Sequence, residues 1–177
     1  MPNAVPHERP HLQLPAFVPP PRFGATSFET YQPQHPSQQA ALARVRAFAA
    51  ETAPTKAGFR WPWQSRHAPG RGLYLDGGFG VGKTHLLAAT YHASAVQDKA
   101  YLSFQELVYA IGVLGMDRAN RELAYQLYCI DEFELDDPGN TLIVKTFLAH
   151  AFARGALVLT TSNTPPEAQG QGRFNAE

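Results

Sequence analysis

From Arg71 onward, short apolar runs alternate with longer stretches whose apolar residues recur at helical spacing. The runs are Arg71–Asp76, Lys99–Phe104, Leu127–Glu132 and Gly155–Asn163, each short enough for a strand. Between them, 85–90 reads as the start of a helix, and 105–114 as a second helix ended by Gly115. A further short helix leads to Leu123. Residues 140–154 read as a helix with Leu142, Ile143, Thr146, Phe147 and Ala151 on its inner side and Gly155 as its stop. Upstream, Ser37 is placed to cap a helix running to Glu51, with Leu42, Val45, Phe48 and Ala49 on one face. Strand–helix alternation of this kind predicts an α/β fold with a doubly wound parallel sheet, whose ligands bind at the carboxyl ends of the strands.

The segment before this alternation differs. Residues 1–23 carry Pro2, Pro6, Pro10, Pro15 and Pro19-Pro20-Pro21, which remove donors and fix φ, so an extended or flexible arm is expected. Residues 24–70 hold the first helix and a linker, 52–70, whose Trp61 and Trp63 are expected to pack locally. Residues 71–177 form the core domain. The full 177 residues suit one domain with a sizeable core. Charged residues make up 17% of the chain against roughly 25% in average soluble domains, and the formal net charge is zero. Nucleic acid held by a general basic excess is therefore not indicated. The one cysteine, Cys129, falls inside an apolar run and reads as a small buried residue. No run is long enough to cross a bilayer, and the N-terminus lacks the pattern of a secretory signal, so a cytoplasmic location is expected.

Candidate chemistry sits at the ends of the runs. Residues 77–84 read Gly-Gly-Phe-Gly-Val-Gly-Lys-Thr, a complete G-x-x-x-x-G-K-T phosphate loop set between a strand and a helix. Gly77, Gly78, Gly80 and Gly82 let backbone N–H groups curl around phosphates, and the following helix aims its free N–H groups at the same anion. Lys83 is placed for the β/γ oxygens and the Thr84 hydroxyl for Mg²⁺. With Phe79, Val81 and His85, these residues form the candidate nucleotide-binding set. Asp131 and Glu132 end a second apolar run, Asp131 as a Mg²⁺ partner through water and Glu132 as a general base for the attacking water. Strand alternation turns Glu132 away from Asp131's side. Asn163 ends the last run, where an amide can orient water and touch the γ-phosphate; the competing reading is a turn residue before Pro165-Pro166. Together these point to Mg²⁺-dependent ATP hydrolysis. In sequence, the run at 99–104 separates the phosphate-loop strand from the acidic one, unlike simple nucleotide kinases.

Three stretches carry a family resemblance: 72–87, 129–139 (Cys-Ile-Asp-Glu-Phe-Glu-Leu-Asp-Asp-Pro-Gly) and 160–167 (Thr-Thr-Ser-Asn-Thr-Pro-Pro-Glu), with Gly172-Arg173-Phe174 following. The first is common to many P-loop ATPases; the second and third are narrower. From Phe28 to Glu177 the chain resembles the ZapE family, AAA+-type cell-division ATPases. The resemblance implies that Lys83 and Thr84 are the Walker A lysine and Mg²⁺ ligand, Asp131 and Glu132 the Walker B pair, and Asn163 the sensor-one residue. It also implies partner remodelling coupled to ATP turnover, with the division protein FtsZ as the partner and association with the membrane periphery. Phe28, Tyr31 and Gln38 are candidate adenine contacts, or else they pack the N-terminal segment on the domain. Arg173 is a candidate arginine finger or a structural arginine. Against the family pattern, a further strand beside the phosphate-loop strand and a helical lid are expected to be missing. That expectation leaves an open sheet edge and favours homo-oligomers.

The competing functions are a DNA-replication initiator or helicase-loader ATPase, whose phosphate loops also fit 82–86, and a nucleotide-binding switch with little turnover. An ABC transporter is disfavoured because no L-S-G-G-Q lies between the phosphate loop and the acidic run.

Overall fold

Apolar residues alternate along each strand and so divide between two faces of one sheet. The computed structural model describes residues 14–52 and 69–169. Its elements are α1 (Pro36–Ala50), β1 (Arg71–Leu75), α2 (Lys83–Ala93), β2 (Lys99–Ser103), α3 (Phe104–Leu114), α4 (Met116–Glu122), β3 (Leu127–Asp131), α5 (Pro138–Ala153) and β4 (Leu157–Thr161). The strands are all parallel in the order β1-β4-β3-β2. Ala100, Leu102, Tyr128, Ile130 and Val158 enter the core beneath α3, α4 and α5. Tyr101, Leu127, Cys129 and Leu159 enter the opposite core, beneath α1 and α2. The doubly wound α/β expectation holds.

Register and packing adjust several details. One strand does separate the phosphate-loop strand from the acidic strand, but it is β4, the last in sequence, rather than β2. Among the described residues β1 is therefore an edge, and of its five residues only Leu75 is buried, less than the buried strand expected. The other edge, β2, has a cover: the Phe17 carbonyl accepts the Tyr101 N–H at 2.9 Å, and the Phe17 ring is buried. This part of the Pro-rich arm thus lies against the domain. Trp61, Trp63 and Arg173 lie outside the described residues.

Helix ends follow local chemistry more closely than helix faces do. His35, not Ser37, caps α1: its ring accepts the Ser37 N–H, while the Gln38 side chain reaches back to the His35 N–H at 3.0 Å. Ser103 and Glu106 form a reciprocal capping box on α3, and Gly115 ends that helix with φ 75°. Asp137 caps α5, accepting from the Asn140 N–H at 2.7 Å, so the helix begins at Pro138. The inner face of α5 is Val144, Phe147, Leu148 and Ala151, an i, i+3, i+4, i+7 set. Leu142 stands two residues before that stripe, about 200° around the helix, and is exposed rather than inward.

Candidate nucleotide-binding site

The phosphate loop leaves β1 at its carboxyl end and closes at Gly82, the residue before α2. Gly82 has φ 86°, in the left-handed region, and an added Cβ would lie 2.5 Å from Cε2 of Tyr31. Both the backbone and the neighbouring ring therefore demand glycine. No side chain caps α2 among the described residues, which leaves its first-turn N–H groups available to an anion. Phe79, at the loop's tip, is 88% exposed. Tyr31 donates its hydroxyl to the Val81 carbonyl at 2.8 Å, and the Gln38 amide donates to the same oxygen at 3.4 Å. These two candidate base contacts do reach the loop. Phe28 does not; it is buried in the core beside α1 and α2.

Lys83 is held inside the loop. Its ammonium donates to the carbonyls of Gly77 at 2.6 Å and Gly78 at 2.8 Å, and to Asn163 Oδ1 at 3.0 Å. Partial burial pulls the ammonium below its usual range, against the opposing fields of Asp131, Glu134 and Asp76. Thr84 donates its hydroxyl to Asp131 Oδ1 at 3.3 Å. The neighbours of β3 supply two further donors to the same carboxylate: Thr161 on β4 to Oδ1, and Tyr101 on β2 to Oδ2 at 3.1 Å. Burial, with the adjacent Asp131 charge, pushes the Tyr101 hydroxyl pKa up, so the phenol remains a donor. A hydroxyl and a carboxylate side by side make a hard-oxygen pair that suits Mg²⁺. Among the described residues no cluster of three or more His, Cys, Asp or Glu could hold a metal unaided.

Glu132 lies beyond the end of β3, not within it. Its φ of 53° is left-handed, so backbone conformation rather than strand alternation sets its direction. Its N–H donates to Thr161 Oγ1 at 3.2 Å and the next N–H, of Phe133, to the Thr161 carbonyl at 2.7 Å. A non-glycine residue in this region costs about 1–3 kcal/mol, and such residues cluster at active sites and ligand clamps. The ring of His85 is engaged elsewhere: Nε2 meets the Ser27 carbonyl at 2.9 Å and Thr30 Oγ1 at 3.1 Å, and the ring packs against Tyr31. His85 thus anchors the N-terminal segment beside the loop.

Lys83 and Thr84 from α2, Asp131 from the end of β3 and Asn163 from the segment after β4 are brought together. Tyr101 and Thr161 went unread in the sequence. Thr161 had a signal in its place two residues before Asn163; Tyr101 had none, because only the pairing of β2 with β3 carries it to Asp131.

The chain is 30% identical to the cell division protein ZapE of Escherichia coli K12 over 116 aligned positions, covering 58% of this chain and 30% of that protein. It thus matches less than a third of that relative's length. The DnaC helicase loader superposes with a TM-score of 0.58 at 19% identity, covering 83% of this chain and 82% of that one. A replication initiator DnaA bound to AMPPCP and single-stranded DNA superposes with a TM-score of 0.62 at 13% identity, covering 86% and 46%. At such identities these two show a shared fold. The AFG1-like ATPase family matches residues 19–177, and the chain belongs to that family.

Proposed function

We propose that this chain binds and hydrolyses ATP with Mg²⁺ at the junction of the phosphate loop, β3 and β4. The observation that carries the reading is the convergence of Lys83 on Asn163 and of Thr84 on Asp131. Backbone N–H groups of 77–84 and the start of α2 surround the phosphates. Lys83 exchanges its contacts with the Gly77 and Gly78 carbonyls for β/γ oxygens. Thr84 and Asp131 would hold Mg²⁺, which would supply positive charge to offset that of the phosphates. Glu132 takes a proton from the attacking water, and Asn163 orients that water against the γ-phosphate. Phe79, Gly80 and Val81 shape the loop; His85 contributes its main chain, since its ring is committed to Ser27 and Thr30.

The kinship with a cell division protein supports coupling of this turnover to a protein partner in division. The alternative, action on DNA as a replication ATPase, has the shared fold behind it, but the zero formal net charge favours the first. Phosphate release by the full chain with ATP and Mg²⁺ tests the core of the reading. Turnover that stops on chelation and in Lys83→Ala supports it; a chain that neither binds nor hydrolyses ATP refutes it. Single-stranded DNA binding with a steep salt dependence would move the assignment to the replication alternative.

A further inference from the structure

Asn163 is exposed, so packing does not hold it where it meets Lys83. Polar ties do. Glu134, three residues beyond Asp131, accepts at Oε1 from the Ser162 hydroxyl at 2.7 Å and the Asn163 N–H at 2.9 Å. Its Oε2 accepts from the Thr164 hydroxyl at 3.0 Å, with the Gln169 amide at 3.4 Å. Gln169 closes the knot: its carbonyl accepts the Leu135 N–H at 2.9 Å, and its amide lies within reach of the Tyr74 hydroxyl at 2.7 Å and the Ser162 hydroxyl at 2.9 Å. The Tyr74 hydroxyl in turn donates to the Thr164 carbonyl at 2.7 Å. One carboxylate thus joins the segment after β3 to the segment after β4, with β1 tied in through Tyr74.

We propose that Glu134 is a positioning residue: it clamps 162–164 so that Asn163 is presented to Lys83 and to the γ-phosphate. The proposal rests on the ATPase reading above. Partial burial raises the Glu134 carboxyl, but the hydrogen bonds from Asn163, Ser162, Thr164 and Gln169 together hold it below the usual range. The clamp is therefore ionised at neutral pH, where charge-assisted bonds are the strong ones. An unclamped loop would leave Asn163 sampling many conformations, and catalytic groups displaced by an ångström lose much of their effect.

The test compares the wild-type full chain with E134A, N163A, the double variant and E134Q, measuring kcat and the affinities for ATP and ADP. E134A is expected to lower kcat by about 10- to 100-fold. It should also narrow the preference for ATP over ADP while leaving ADP affinity unchanged. The double variant should be no slower than N163A alone, because both changes remove the same interaction. E134Q keeps an acceptor for the Asn163 N–H and should recover part of the loss. If E134A lowers only the melting temperature, with kcat and the nucleotide preference as in wild type, the clamp role is overturned; losses that simply add in the double variant overturn it too. Should E134A not fold, E134Q carries the same comparison, and an unchanged preference there overturns the clamp. An inactive wild type that binds no ATP instead overturns the ATPase reading, and the clamp's role with it.

Discussion

The two halves of the candidate site are built on opposite plans. The phosphate loop is eight contiguous residues, shaped by glycines and main-chain groups, with Lys83 satisfied by its own loop's carbonyls. The facing half is assembled from segments about thirty residues apart and consists of side chains: Asp131, Glu132 and Glu134 on one segment, Thr161, Ser162, Asn163 and Thr164 on the other. Gathering phosphates needs many donors at close quarters, which the backbone supplies cheaply where side chains are absent. Proton transfer and γ-phosphate sensing need particular functional groups at particular points, which only side chains provide.

Four measurements would break or sharpen this contrast. The largest effect is expected from Lys83→Ala, which removes the one charged side chain of the loop half. ATP turnover should fall below detection, since the remaining N–H groups lack the charge that meets the β/γ oxygens. Wild-type turnover in this variant would mean that the loop is not the phosphate site. Glu132→Gln comes next and strikes the other half alone: turnover should drop by about 10²–10⁴-fold while ATP affinity, read by calorimetry, is retained. Loss of binding in that variant would show that the two halves are not separable into binding and chemistry.

Gly82→Ala probes the backbone plan of the loop. The left-handed φ and the Tyr31 ring both oppose a Cβ, and the expected cost is about 1–3 kcal/mol in urea unfolding. Adding Tyr31→Ala should recover the steric share and leave the conformational one. Full recovery would show that the φ carries no strain. The smallest effect concerns pH. Glu134's folded pKa is depressed, so its stabilising contribution is present above the ordinary carboxylate pKa and is lost as pH falls through the folded value. The stability difference between wild type and Glu134→Gln should therefore shrink as pH is lowered from about 6 to about 3. A difference that stays constant over that range would mean that the charge of the clamp is immaterial.

Legibility in the sequence followed the same division. The 77–84 loop could be recognised whole because all its determinants are neighbours. The α1 face of Leu42, Val45, Phe48 and Ala49 was readable for the same reason, as period 3.6 is a local property. The inner face of α5 was misjudged at Leu142 because that helix is apolar on more than one side, so periodicity does not single out the buried stripe. Asp131, Glu132 and Asn163 could be named as strand-end residues, but not Tyr101, Tyr74, Glu134 or Gln169, which gain their partners only through the sheet.

What the amino-acid sequence determined alone was the set of elements, which residues of each strand face opposite ways, and the anion-binding loop. Those depend on steric and hydrophobic preferences acting within a few residues. Which strands become neighbours was decided by tertiary structure, since alternation specifies faces and not partners. Placing the last strand, β4, between β1 and β3 sets Asn163 against Lys83 and Thr161 against Asp131. It also lets one glutamate tie the two strand ends together.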